Sequence, residues 1–589
     1  MITTISHRLM VPRKRRWQVI WPVVLLIVSL ITVAAAQKPQ AALPQVYIDT
    51  TWNPPTSGTT WPVHTSAQLS SALTSAAPGD IIELDTGTIY SGYFSVPAKT
   101  NPNNRWIYIE SSAYANLPSP GTRVSPADAV NMPKIVTPGA PHAIGFDDGA
   151  NYWRFVGVEI YSASTYRPSG YTPGVYYGYS LIDKSSYPGT SNIPDHIFFD
   201  RCYVHGDSTH DVQAGIAGNF SNFAVVDSYI SEIHMKSVET QAVISYVTPG
   251  PIKLVNNHLE AAGENVMFGG AGRGAFGFVP SDIEVQNNYL YKPLSWVPKS
   301  VGTNTYMVKN AFELKSAQRV LFNSNTIANV WRAGQVGAAF LFTVRTSQSG
   351  DIAVVEDVTV TNNVFNNVVI AFNTLAADST CGTSSYPNCH NAGTTGRWVI
   401  SDNQVTLYDN TVQGGIGSHT GLIVFSPGID YPNGGAIVGL HDVVLQHNTV
   451  VPHKNETCWT SAYFAVPGSW HLPFPHPLTY NIWVLDNALC NEATGDWGLH
   501  GTSGLTQYMG SPSTPPYDLT QRFYGNVMYV PSNNKAYTFP PHNDATMVAF
   551  TYVNPSINDY QLVTPNWTNT SDGQLSGVNF ANLPASPGP

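Results

Sequence analysis

The stretch "LVNNHLE", residues 254–260, carries an Asn with an apolar residue three positions before it and another two positions after. The same arrangement returns as "VQNNYLY" (285–291), "FNSNTIA" (322–328), "VTNNVFN" (360–366), "LYDNTVQ" (407–413), "LQHNTVV" (445–451), "VLDNALC" (484–490) and "FYGNVMY" (523–529). The equivalent positions are Asn257, Asn288, Asn325, Asn363, Asn410, Asn448, Asn487 and Asn526. "FFDRCYV" and "AVVDSYI" extend the series upstream, with Cys202 and Ser228 in the Asn place. Successive steps from Cys202 are 26, 29, 31, 37, 38, 47, 38, 39 and 39 residues, a period that means stacked supersecondary units. The units alternate with period two and show no helical periodicity, which disfavours leucine-rich and ankyrin repeats. A coil of parallel strands fits. Asn suits its bends because it tolerates left-handed backbone and its amide can bond to the next coil.

The totals agree with an exported, turn-rich β protein. Charged residues are only 11% of the 589, and an aromatic share of 12% argues against disorder. A formal charge of −10, with no basic run beyond the N-terminus, excludes nucleic acid as a partner and leaves acidic polysaccharide open. Residues 1–36 read as a signal peptide: Arg13 to Arg16 are basic, an apolar run follows, and Ala34 and Ala36 fit a cleavage site. The run is also long enough for an uncleaved anchor, the one membrane attachment the sequence offers. An oxidising compartment suits the cysteines, with Cys381 expected to pair with Cys389, Cys458 with Cys490, and Cys202 left over in the core. Residues 37–60 read as an extended linker, 61–555 as the coil, and 556–589 as a closing segment.

This pattern resembles the pectate-lyase-like superfamily of right-handed parallel β-helices, over roughly residues 60 to 555. The resemblance implies an all-β solenoid with a short N-terminal helix plugging its open end. "SAQLSSALTSAA" (66–77), stopped by Pro78-Gly79, is that helix, and an end coil needs such a cap. The superfamily spans lyases, hydrolases and noncatalytic adhesins, so the fold alone does not fix the function.

Strand alternation sorts residues into inward and outward columns. Phe312 and Leu314 mark one face of "MVKNAFELKSAQRV" as inward, which puts Lys309, Glu313 and Lys315 outward. Counting from the Asn turns aligns Gln213, Gln241, Asn265 and Asn310 as an inward amide column, with Met267 inward beside it. The same count places Glu264 beside Lys309, Phe268 beside Glu313, and Tyr246 and Gly270 beside Lys315, all facing out. Glu264 and Lys309 are then either a solvated ion pair or part of a groove floor. Lys236, Glu239, Arg332, Tyr246, Trp296 and Trp331 are candidates for binding a glycan there.

Three chemistries stay open. β-Elimination on a uronic acid chain needs a neutralised carboxylate, a base and an acid. "LKSAQRVLFNSNTI" resembles a stretch of the chondroitinase B and alginate lyase family, which implies Lys315 as base and Arg345 as acid. That family's acidic calcium ligands would fall on Val308 and Asn310, which cannot serve together, so a Ca2+ requirement stays open, with Lys309 or Arg332 as substitutes. Glycoside hydrolysis needs two carboxyl groups about 5–9.5 Å apart, for which Glu264 with Glu313, or Glu239 with Glu264, are the candidates. Noncatalytic glycan binding would use Trp296 and Trp331 as stacking surfaces. Elimination is the favoured reading. "HGDSTHD" (205–211) matches no strong metal spacing and reads as a turn.

Overall fold

The computed structural model describes residues 37–138, 142–163, 180–184, 192–236, 238–270, 278–297, 306–345, 353–378, 380–384, 394–408, 421–426, 428–430, 434, 436–452, 462–464, 480–490, 522–529, 541–546, 550–563 and 570–585. The signal or anchor segment lies outside them. No helix among them is long and apolar enough to cross a membrane.

Three long sheets, of 14, 11 and 14 strands, are parallel throughout. Each turn of the coil gives a strand to the first 14-stranded sheet, turns at the Asn corner, gives one to the second 14-stranded sheet, and bends into the 11-stranded third sheet. The chain is a right-handed parallel β-helix. Phe and aliphatic side chains from all three sheets fill one continuous core, with Phe199, Val243, Phe312, Phe340 and Trp398 along it.

The corner explains the repeat. Asn257, Asn288, Asn325 and Asn363 are buried, and each amide oxygen accepts from the backbone N–H of the rung before. From Asn288 onward it accepts from the side-chain amide of that rung as well, as Asn325 Oδ1 does from Asn288 Nδ2 at 3.0 Å. Asn325 Nδ2 also donates to Val285 O at 2.9 Å. The rung Asn is not itself the left-handed residue. The residue before it is: Asn256, Asn287, Ser324 and Asn362 have φ of 55–58°. The ladder passes through Asn403 rather than Asn410, and gains Asn543 as its last Asn rung. Asn410 lies outside the described residues. Cys202 and Ser228 do start the series: Cys202 N–H donates to Ser228 Oγ at 3.0 Å, and Ser228 N–H to Asn257 Oδ1 at 2.9 Å.

The plug helix spans Ser66–Ser75, with Thr65 Oγ1 accepting from Gln68 N–H at its start. Leu69, Ala72 and Leu73 enter the core. A strand, Thr60–Val63, precedes it, so the helix is not the first element of the coil. Residues 38–59 are extended but not a free linker. They run along the first sheet against the direction of coil growth. Lys38 reaches Gln446, Ala42 N–H donates to Asp357, Gln45 N–H to Asp282, and the carbonyls of Thr50 and Thr51 accept from Arg154. Cys202 is a free, buried thiol. Cys381 and Cys490 are disulfide-bonded, and their expected partners Cys389 and Cys458 lie outside the described residues.

Asn325→Ala removes one rung and strands buried groups on both neighbouring coils. It should destabilise the protein by about 3 kcal/mol or more. Asn543→Ala, at the partly buried end, should cost less. Equilibrium unfolding of the two variants checks the order, and equal losses would refute a cooperative ladder.

Candidate active site

The third sheet brings the charged candidates together on strands Gln241–Ser245, Glu264–Phe268 and Phe312–Leu314 and the residues flanking them. Their pairing differs by one residue from the count along the sequence. Gln241 faces Glu264, and Ile244, Met267, Glu313 and Leu341 form one outward line. Phe268 pairs with Leu314 in the core, so Phe268 points in and Met267 out, the reverse of the expectation. The expected amide column is likewise broken, because Ala214, not Gln213, pairs with Gln241. A one-residue slip exchanges the two faces of a strand, which is the whole of the difference.

Lys309 N–H donates to Ala262 O, which seats Lys309 diagonally to Glu264. Its ammonium lies 2.5 Å from Glu264 Oε1 and 2.5 Å from Glu239 Oε1. The expected partnership holds, but not as a solvated surface pair. Glu264 is 0% and Lys309 4% exposed. Gln241 Nε2 donates to the other oxygen of Glu264 at 2.7 Å, and Asn310 Nδ2 to Glu313 Oε2 at 2.9 Å. Burial alone would strip the charge from Lys309. Glu264, Glu313 and Glu239 outweigh it and hold the ammonium well above the ordinary lysine range.

Lys315 is the exposed edge of this cluster. Its ammonium is 3.4 Å from the buried Glu313 carboxylate, and its side chain keeps 17% of its surface in solvent. Burial pulls its pKa down, but Glu313, Glu239 and Glu264 together raise it above the ordinary value. A Cβ on Gly270 would fall 2.7 Å from Lys315 Cδ, so the glycine makes room for the lysine stem rather than for a sugar. Arg345 N–H donates to Lys315 O at 2.8 Å, which puts the two cations on adjacent coils as expected. Arg345 Nε has no hydrogen-bond partner among the described residues.

Several candidates have other work. Trp296 and Trp331 are buried in an apolar cluster with Val308, so neither offers a ring face to a glycan. His234 is buried, stacked on Tyr306 at 3.9 Å. Tyr246 is half-buried against Ile244 and Met267. Lys236 and Arg332 are exposed and form no ion pair with the cluster among the described residues. Glu239 keeps 26% of its side chain exposed. In "HGDSTHD", Asp207 accepts from the backbone N–H groups of Thr209 and His210, which is a turn.

Sequence reasoning missed Lys292. This fully buried lysine donates to the carbonyls of Ala261, Ala262 and Gly263 at 2.7, 3.1 and 2.7 Å, capping the bend that precedes Glu264. Burial pushes its pKa down to about 7. A lone Lys after a strand in "YLYKPL" carries no sign of this.

A divalent cation at the family's position does not fit. Val308 has no donor, Asn310 is bound to Glu313, and the carboxylates converge on the Lys309 ammonium. His447, Asp486 and Asp572 form a separate group with ligand-capable atoms within 4.8 Å of one another. His447 bonds Asp572 at 2.9 Å and Asp486 accepts from Ser571 N–H, so the group fastens the C-terminal segment.

No protein-family model matches the chain, and no curated protein is significantly similar to it. Among solved structures, a mutant of a family 6 alginate lyase is 12% identical, over 90% of this chain and 57% of that one, with a TM-score of 0.45. A family 6 polysaccharide lyase from Pseudopedobacter saltans is 9% identical, over 90% and 99%, with a TM-score of 0.35. The catalytic unit of an α-1,3-glucanase from Streptomyces thermodiastaticus is 10% identical, over 72% and 68%, with a TM-score of 0.37. None of these likenesses is close enough to bear on the chemistry.

Lys309→Met leaves the Glu264 carboxylate buried without its main countercharge and should cost about 3–5 kcal/mol. Adding Glu264→Leu should recover most of that loss. Thermal unfolding of the single and double variants tests it, and additive losses would show that the two groups are not coupled.

Proposed function

We propose that the protein is exported and cleaves a uronic acid polysaccharide by β-elimination at the solvent edge of the lysine–carboxylate cluster. The observation that carries this reading is the pair Lys315 and Arg345: two cations on adjacent coils, backed by the Glu264 and Glu313 carboxylates, which have no free access to solvent. An anionic sugar is the ligand such an edge would hold. Arg345 neutralises the uronate carboxylate or protonates the leaving oxygen, and Lys315 in its neutral form removes the C5 proton. The disulfide-bonded Cys381 and Cys490 support export to an oxidising compartment.

Hydrolysis by Glu264 and Glu313 has less support. Both carboxyl groups are buried and each is already paired with a lysine. Charge balance in the cluster comes from Lys309, so EDTA should leave the elimination rate unchanged.

Purified protein is assayed on alginate, pectate and glycosaminoglycans for the ultraviolet absorbance of an unsaturated uronate. Its appearance, and its loss in Lys315→Ala, are expected. Reducing ends without that absorbance would replace elimination by hydrolysis, and retention of glycan without products would leave a binding protein.

The pH profile tests the base. Because the carboxylates raise Lys315, little of it is neutral near pH 7, and kcat/KM should climb about tenfold per pH unit towards the lysine range. Glu313→Gln removes the carboxylate nearest Lys315, lowers its pKa and moves the rising limb to lower pH. A profile flat in pH, or a limb that Glu313→Gln leaves in place, would remove Lys315 as the base.

A further inference from the structure

The elimination chemistry gives no part to Lys292. This lysine follows the strand Tyr289–Tyr291 on the second sheet, and its ammonium reaches the bend that joins His258–Ala261 to Glu264–Phe268. It is fully buried, and its three donors are spent on the carbonyls of Ala261, Ala262 and Gly263. A neutral amine has two N–H groups and could hold only two of them, so the cage calls for the charged form.

Thr240 fixes the same bend from the other side. Gly263 N–H donates to Thr240 Oγ1 at 2.9 Å, and Glu264 N–H to Thr240 O at 2.8 Å. A Cβ on Gly263 would fall 2.4 Å from Thr240 O, so only glycine allows this approach. Thr240 follows Glu239 in the chain, and Ala262 O accepts from Lys309 N–H as well as from Lys292 Nζ. One short bend therefore seats Glu239, Glu264 and Lys309 together.

Charge points the same way. Glu239, Glu264 and Glu313 surround Lys309 and Lys315, and Lys292 adds a third ammonium. The charged groups acting on Lys292 are Glu264, Lys309 and Glu260, the last paired with His258. Burial lowers Lys292 to about 7 against the pull of Glu264. Loss of its proton would free one carbonyl and leave the cluster one charge more negative. Glu264 is among the groups that hold the proton on Lys315, so that proton would then be held more firmly.

We propose that Lys292 is a positioning residue for the elimination site: its ammonium fixes the bend that seats Glu264 and Lys309 and, through Glu264, moderates the field that keeps Lys315 protonated. The role rests on the elimination reading.

The full exported chain is compared with Lys292→Met in kcat/KM against pH on the uronic acid polymer that the parent cleaves. The variant should lose about tenfold near about pH 6, where Lys292 is charged in the parent, and about twofold or less near about pH 9, where it is neutral. The parent's climb with pH should be shallower across the neutral range, and that of Lys292→Met should not. NMR of the chain with 13C-labelled lysine gives a readout without activity: one resonance, absent from Lys292→Met, should titrate near neutral pH. If Lys292→Met does not fold, Glu264→Gln serves, since removing that carboxylate should move both the resonance and the shallow step to lower pH. A loss that is the same at every pH would mark Lys292 as merely structural and overturn the proposal. A Lys292 resonance that titrates in the ordinary lysine range would also overturn it. Absence of any elimination product from the parent would remove the reaction and this role with it, and a neutral Lys292 midpoint in that case would show that the reading of the cluster was sound and the reading of the reaction was not.

Discussion

One hydrogen bond, repeated from coil to coil, fixes everything else: the amide of a buried Asn donating to the amide oxygen of the next. A single buried amide without partners would be costly, but in a stack each amide satisfies its neighbours and the backbone of both coils. Asn suits the rung because its side chain offers both a donor and an acceptor. The left-handed residue just ahead of it supplies the corner. That position tolerates several residue types, and Asn256, Ser324, Asp402, His447 and Gly525 all occupy it with positive φ. Turn geometry and inter-coil bonding are thus divided between two adjacent residues. This division is why the fourth position of the repeat stays Asn from Asn257 onward while the third drifts.

The same division shows how far the sequence could be read. The recurring Asn gave the solenoid, the direction of its strands and its core, because a buried ladder allows little substitution. It did not separate Asn403 from Asn410, since "ISDNQV" and "LYDNTV" satisfy the same pattern and only stacking on Asn363 and Asn448 decides between them. Register also decays with distance from the corner. The second and third sheets are joined by a bend that spans residues 234–240 on one coil and only 262–263 on the next. The pairing between these coils also shifts between Ile230 and Ile233. A count from the Asn corner therefore arrives one residue out on the third sheet, and that small error exchanged Met267 with Phe268.

Burial was the harder property to read. Glu264 and Lys309 stand in a sequence that marks them as charged, and charged side chains on sheets are usually solvated. What covers them comes from elsewhere in the chain. Glu239 lies on the preceding bend and Lys292 at the end of another coil, while the Trp296 and Trp331 packing closes one flank. The extended segment 38–59 escaped reading for the same reason. Nothing in its composition announces that Asp282 and Asp357, hundreds of residues away, accept its backbone N–H groups.

Buried charges on this scale restrict what the cluster can do. Glu264 and Glu313 are each held by an amide donor and a lysine, and Lys309 is held by two carboxylates, so none can turn towards a ligand without leaving a charge unpaired. Lys315 and Glu239 keep contact with solvent, and Lys315 feels a field set by groups that stay in place. A fixed field of this kind is preorganised: it acts on a reacting group without the reorganisation that water would need. Here its sign favours the protonated lysine in the free protein. A uronate drawn to Arg345 would strengthen that bias, so the amine can serve as a base only where the medium, and not the cluster, removes its proton.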